Sequence, residues 1–173
     1  MSINKLKEAI RDIPDFPQKG IIFKDITPIL HNNTLFKNSI DILAKKIADL
    51  EFDFICGVES RGFIFGSALA MKLNVGFIPI RKPGKLPAET FSVSYELEYG
   101  SNILEIHKDS LHDGLKVIIV DDLLATGGTA KASVQLAEKC KASVESLIFL
   151  VELSFLKGRE KLKDYRVDSI ISY

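Results

Sequence analysis

The sequence predicts an α/β fold: a parallel sheet flanked by helices, with a β-hairpin projecting from it. Two observations carry this expectation. Near-continuous apolar runs at 52–58, 75–80, 117–120, 146–151 and 167–171 alternate with stretches of helical period. Strands that read as unbroken apolar runs are buried on both faces, and strands alternating with helices build parallel sheets. Over residues 92–99 the period drops to two, the mark of a strand with one wet face. Ligands of parallel sheets gather at the carboxyl ends of the strands, so the informative residues should follow Val58, Ile80 and Val120.

Taken in order, Ile3, Leu6, Ile10 and Ile13 recur at helical spacing, and Pro14 ends that helix. Residues 15–20 form a turn-rich link before the apolar pair Ile21 and Ile22. Phe36, Ile40, Leu43, Ile47 and Leu50 mark one face of a long helix. A first buried strand at 52–58, a helix at 62–73 and a second strand at 75–80 follow. Pro83, Gly84 and Pro87 make 82–90 a loop. Val93, Tyr95, Leu97 and Tyr99 then alternate with Ser92, Ser94, Glu96 and Glu98, and a turn at 100–102 leads back through 103–107. A central strand at 117–120, a helix at 129–140 and strands at 146–151 and 167–171 complete the pattern.

The 173 residues suit one domain with a sizeable core. The 23 basic residues balance 23 acidic ones, so no net field recruits nucleic acid or an anionic membrane. Any anion must be held by a local arrangement. Cys56 and Cys140 lie far apart without CxxC spacing and read as buried thiols in a reducing compartment. Residues 1–5 open an amphipathic pattern, not a signal peptide, and the apolar run at 63–71 is too short to span a bilayer. A cytoplasmic location without membrane or nucleic-acid partners is expected. His31, His107 and His112 show no ligand spacing.

The strongest chemical signal is at 117–129. A buried strand ends in Asp121 and Asp122, a loop of small residues follows, and a helix opens at Thr129. Gly127 and Gly128 let backbone N–H groups approach an anion closely, and Thr126 and Thr129 add hydroxyls. The helix N-terminus adds unpaired N–H groups and its positive dipole end. This is a phosphate cradle without a lysine. Carboxylates repel phosphate, so the aspartates must face sugar hydroxyls or a metal; a ribose 5-phosphate satisfies both halves. Neither GxxxxGK[ST] nor GxGxxG occurs, and the 57–62 spacing is one residue too long for a nucleophile elbow.

Other segments read two ways. Glu59, Ser60, Arg61 and Gly62 form either a second anion loop or a capped helix start with a surface arginine. Arg81, Lys82 and Lys85 are a solvated cluster or a lid that closes over a polyanion. Glu98, taken alone, is an exposed strand carboxylate; Phe23 and Leu123, taken alone, are core residues.

The stretch at 117–129 resembles the signature of the type I phosphoribosyltransferases. Asp15-Phe16-Pro17, the run 20–28, and the runs 59–63, 81–87 and 95–100 resemble, in that order, the adenine phosphoribosyltransferases over nearly the whole chain. The resemblance implies one type I phosphoribosyltransferase-like domain over 1–173. It would carry a small N-terminal hood and base-binding segment at 1–33 and a flexible lid and hairpin at 82–107. The implied reaction moves the 5-phosphoribosyl group of phosphoribosyl pyrophosphate onto adenine, giving AMP and pyrophosphate. Mg²⁺, held mainly by substrate oxygens and waters, and a homodimer are implied as well.

Residue by residue, the resemblance assigns the ribose 5-phosphate to Asp121, Asp122, Ala125, Thr126, Gly127, Gly128 and Thr129. Pyrophosphate falls to Glu59, Ser60, Arg61, Arg81 and Lys85, with a cis peptide between Glu59 and Ser60. Adenine falls to Ile22, Phe23, Lys24 and Leu123: Phe23 and Leu123 sandwich the ring, and backbone groups near Ile22 and Lys24 read N6 and N1. Lys24 departs from the arginine many relatives carry. Glu98 matches the family's acid at adenine N7, which fits Ala125, where 6-oxopurine relatives place an aspartate. Two rivals remain at this level. One is a phosphoribosyltransferase of another purine base. The other is a non-catalytic ligand-sensing regulator on the same fold, which should show a basic face or an added DNA-binding module.

Overall fold

The computed structural model describes residues 3–96 and 101–173, which form two compact units, Met1–Ile42 and Leu43–Tyr173. In the first, α1 (Ile3–Ala9) is shorter than the helical spacing predicts. The chain turns at Ile10 and runs on as β1 (Arg11–Pro14), antiparallel to β2 (Ile22–Asp25). Arg11 pairs with Asp25 and Lys24 with Asp12 at 2.6 Å, so cross-strand charges reinforce the ribbon. Asp25 also accepts the Thr27 N–H at 2.9 Å, which starts α2 (Thr27–His31). On β2, Ile22 is 57% exposed, while the Phe23 ring packs edge-on against Phe16 at 5.1 Å between centroids. The helix α3 (Asn33–Lys46) buries Ile40 and Leu43 from the predicted apolar face and stops before Ile47.

The second unit holds a five-stranded parallel sheet in the order β4-β3-β7-β8-β9. Its strands are β3 (Phe54–Val58), β4 (Gly76–Ile80), β7 (Lys116–Leu124), β8 (Ser143–Glu152) and β9 (Val167–Ser172). Ile55, Val117 to Val120 and Leu147 to Leu150 are essentially inaccessible, as a sheet covered on both faces requires. The covering helices include α4 (Arg61–Leu73) and α5 (Gly128–Lys139). The antiparallel hairpin β5 (Thr90–Glu96) and β6 (Ser101–His107) packs its base into the core through Val93, Leu104 and Ile106. Ser101 and Asn102, expected in the turn, pair with Glu96 and Tyr95 as strand residues. Residues 97–100, including Glu98, lie outside the described residues. Among the described residues no helix is long and apolar enough to cross a membrane.

Two glycines set how closely α4 approaches the sheet. A Cβ at Gly66 would lie 2.9 Å from the Phe77 ring and 3.4 Å from Gly57 Cα; one at Gly57 would lie 2.6 Å from Phe77 Cζ. The ring fills the space that both leave. Gly57→Val should therefore overpack this layer and lower the unfolding free energy by about 1–3 kcal/mol, read as a shifted urea midpoint at unchanged slope.

Candidate active site

The carboxyl edge of the sheet gathers Glu59, Ser60, Arg61 and the run from Asp121 to Thr129 among the predicted residues. β7 runs four residues past Val120, further than the apolar run implies, because Leu123 and Leu124 still pair with Val151 and Glu152 of β8. Asp121 and Asp122 therefore stand within the strand and do not end it.

Asp122, with 6% of its side chain exposed, receives Arg61 Nε at 3.0 Å. Arg61 is the first residue of α4, so the helix start is fixed beside β7. Gly62 permits this: a Cβ there would lie 2.8 Å from Asp121 Oδ1 and 2.9 Å from the Val120 carbonyl oxygen. Asp121 Oδ1 accepts the Asp122 N–H at 2.8 Å. Burial, then the neighbouring Asp122 charge, raises the Asp121 carboxyl well above the usual carboxylate range. Burial raises Asp122 as well, opposed by Arg61.

Ala125, Thr126 and Gly127 turn the chain from β7 into α5. Gly127 takes φ +79°, a left-handed conformation that favours glycine. No side chain caps α5, so its first amides are left for a ligand or water. This loop, with Asp121, Asp122 and Leu123, lines a cavity of about 360 Å³ together with Glu59, Ser60 and Arg61. The Glu59–Ser60 peptide is cis, as the resemblance implies.

Arg81 and Lys85 do not line that cavity. Arg81 was expected on a loose lid, but its backbone bridges Glu105 of β6, with N–H to O distances of 2.9 and 2.7 Å. Its guanidinium donates to Glu59 Oε2 at 3.1 Å and to the Lys85 carbonyl at 3.0 Å. Burial pushes Glu59 up, but hydrogen bonds from Arg81 and the Lys82 N–H outweigh it and leave the carboxyl below its usual range.

Of the three loop cations, Lys82 is the one that lines the cavity, and sequence reasoning missed Tyr95, Asn102 and Leu104, which line it too. Thr129 Oγ1 donates to the Tyr95 hydroxyl at 3.2 Å and so ties the hairpin to the head of α5. The period-two pattern held that signal, since Tyr95 shares a face with the buried Val93. No group of three or more potential metal ligands occurs among the described residues.

The raised Asp121 carboxyl has a checkable consequence. Its folded-state pKa exceeds the unfolded one, so its contribution is most favourable below the unfolded value and is lost as pH rises through the folded one. Asp121→Asn should melt above the wild type near neutral pH, and the gap should close as pH falls toward ~4. Calorimetric melting of both proteins across that range checks it; a gap that widens on acidification contradicts the assignment.

The chain matches the phosphoribosyl transferase domain family over residues 25–172. It is 57% identical to the adenine phosphoribosyltransferase of Thermoanaerobacter sp. strain X514, over 100% of both chains. The crystal structure of adenine phosphoribosyltransferase from Thermoanaerobacter pseudethanolicus superposes with a TM-score of 0.98 at 56% identity, covering 99% of this chain and 100% of that one. The Saccharomyces cerevisiae enzyme, solved with an imino-altritol bisphosphate and adenine, gives 0.92 at 46% identity over 97% of each chain. With the two loops and the paired aspartates in one cavity, the chain belongs to the adenine phosphoribosyltransferases.

Proposed function

We infer that this chain transfers the 5-phosphoribosyl group from phosphoribosyl pyrophosphate to adenine, giving AMP and pyrophosphate in purine salvage. One observation carries the reading: a single cavity is lined by the 125–129 loop, the Glu59–Arg61 loop and the carboxylates of Asp121 and Asp122. Such a site offers two anion positions flanking a place for a sugar. A Trypanosoma brucei relative, 25% identical, was solved with AMP, pyrophosphate and ribose-5-phosphate, the three pieces such a site would hold.

In the reaction, adenine N9 forms a bond to C1 of the ribose as the bond from C1 to the pyrophosphate oxygen breaks. The electron pair leaves on pyrophosphate, and C1 inverts. We assign the 5-phosphate to the amides and hydroxyls of Thr126, Gly127, Gly128 and Thr129. Asp121 and Asp122 take the ribose hydroxyls and favour positive charge developing on the sugar. Arg61 and Ser60 take the pyrophosphate beside Glu59; Arg81 and Lys85 reach it once their own contacts are exchanged. Ile22, Phe23, Lys24 and Leu123 are assigned to adenine on the family pattern, with Ala125 leaving no carboxylate for a 6-oxopurine. Glu98, the acid expected at N7, is assigned the N7 proton. It supplies that proton when AMP is cleaved and, because attack by N9 requires neutral adenine to shed one, takes it up when AMP is formed.

Mg²⁺ fits this donor set as an ion that arrives on its substrate. Asp122 is engaged with Arg61, so the protein offers few free oxygens, and Mg²⁺ is usually bound by one or two carboxylates plus phosphates and waters. Asp121 and Asp122 are the carboxylates at hand, and the ion would neutralise the leaving pyrophosphate. We also propose a cytoplasmic homodimer, on the family pattern; the free, buried Cys56 and Cys140 suit a reducing compartment.

Incubating the protein with Mg²⁺, phosphoribosyl pyrophosphate and each free purine in turn should yield nucleotide with adenine and little with hypoxanthine, guanine or xanthine. A preference for another base would select that rival, and nucleotide from none would favour a ligand sensor. Glu98→Gln should slow AMP formation ~10²–10⁴-fold in single-turnover kinetics while adenine and AMP affinities hold. An undiminished chemical step would place the proton carrier elsewhere.

A further inference from the structure

Behind the 125–127 loop lies a segment to which the reaction assigns nothing. A 3-10 helix, Gly158–Leu162, begins at the buried Gly158. A Cβ there would collide with the Ala125 carbonyl oxygen and lie 3.0 Å from Gly127 N, and a Cβ on Gly127 would collide with the Gly158 carbonyl oxygen. The two backbones therefore pack directly on each other, and Gly158 is the floor under the left-handed turn at Gly127. Gly158 has no side chain to hold it in place; its neighbour does. Arg159 Nε and Nη2 donate to the two Glu152 carboxylate oxygens at 2.7 Å each, and Nη1 donates to the Val167 carbonyl at 2.7 Å.

Glu152 is only 7% exposed along its side chain and accepts a third bond from Ser169 Oγ at 2.7 Å. The bonds from Arg159 outweigh burial and hold its carboxyl below the usual range. Glu152 ends β8 and pairs in register with Leu124, whose carbonyl accepts the Leu153 N–H at 2.9 Å. The clamp is thus fixed to the same strand end from which the loop departs.

We propose that Arg159 and Glu152 are positioning residues for the 5-phosphate: their forked ion pair seats Gly158 under Ala125 and Gly127 and so sets the loop's amides on the phosphate. This rests on the reading of that loop given above. A lysine cannot replace the fork, because an ammonium lacks the two parallel donors of a planar guanidinium. The phosphate is held alike in substrate and transition state, so a displaced loop should raise KM and leave kcat nearly unchanged.

The test compares wild type, Arg159→Lys and Glu152→Gln in three readouts: AMP binding by calorimetry, KM against kcat for phosphoribosyl pyrophosphate, and inhibition by pyrophosphate. Both variants should bind AMP about tenfold more weakly, the cost of weakening one charge-assisted hydrogen bond to phosphate. KM should rise in step, with kcat changing less than about twofold and pyrophosphate inhibition unaltered. Wild-type AMP affinity in the variants, even with a lower Tm, overturns the proposal, as does equal loss for AMP, pyrophosphate and kcat. Should Arg159→Lys not fold, the near-isosteric Glu152→Gln decides on the same readouts. A wild type that binds no AMP instead overturns the reading of the loop, a distinguishable result.

Discussion

Placing two neighbouring carboxylates near the carboxyl end of a buried strand is costly unless something opposes their charge, and Arg61 opposes it. Much of the carboxyl edge follows from that contact. The helix α4 must begin beside β7, which requires glycine at 62, and must lie close to β3, which requires glycine at 57 and 66. The same solution recurs along the edge: Glu59 after β3 is held by Arg81, and Glu152 at the end of β8 by Arg159. Three neighbouring strands thus each carry, at or near the carboxyl end, a carboxylate matched to an arginine.

Asp121 stands apart from this scheme, since burial and the Asp122 charge both work against its ionisation. A sugar carrying partial positive charge, or hydroxyls donating to the carboxylate, would supply the missing compensation. On the proposed function, part of the cost of burying Asp121 would be recovered only as the reacting sugar gains charge, the condition for differential stabilisation of a transition state.

Local features were the legible ones. The strand, glycine loop and helix of 117–129 lie within thirteen consecutive residues, and their periodicity and turn chemistry read directly. The parallel sheet was equally plain, because unbroken apolar runs need no long-range knowledge. What failed was ambiguous or distant. Ile10 and Ile13 continue a helical spacing, yet cross-strand pairing of Arg11 and Asp12 with Asp25 and Lys24 takes that segment into a ribbon. Leu123 and Leu124 looked like loop because the carboxylates before them masked the strand, which pairing with β8 extends. Gly158 and Arg159 carry no local signature, since their meaning comes from a loop some thirty residues earlier in the chain. Lys82 was read only as one of three loop cations, and the sequence did not say which of them would face the cavity.

The loop at 125–129 also bears on how such a site can diverge. The anion contacts proposed for it are drawn largely from main-chain amides, which are the same whatever the side chains. At Gly127 the backbone angle and the Gly158 carbonyl together strain any residue that carries a Cβ. The proposed phosphate position is thus nearly closed to innovation by point mutation. Drift toward a new acceptor is channelled into positions whose side chains face the cavity without holding the turn, such as Ala125, Tyr95 and Asn102. One donor can in this way be retained while the acceptor changes.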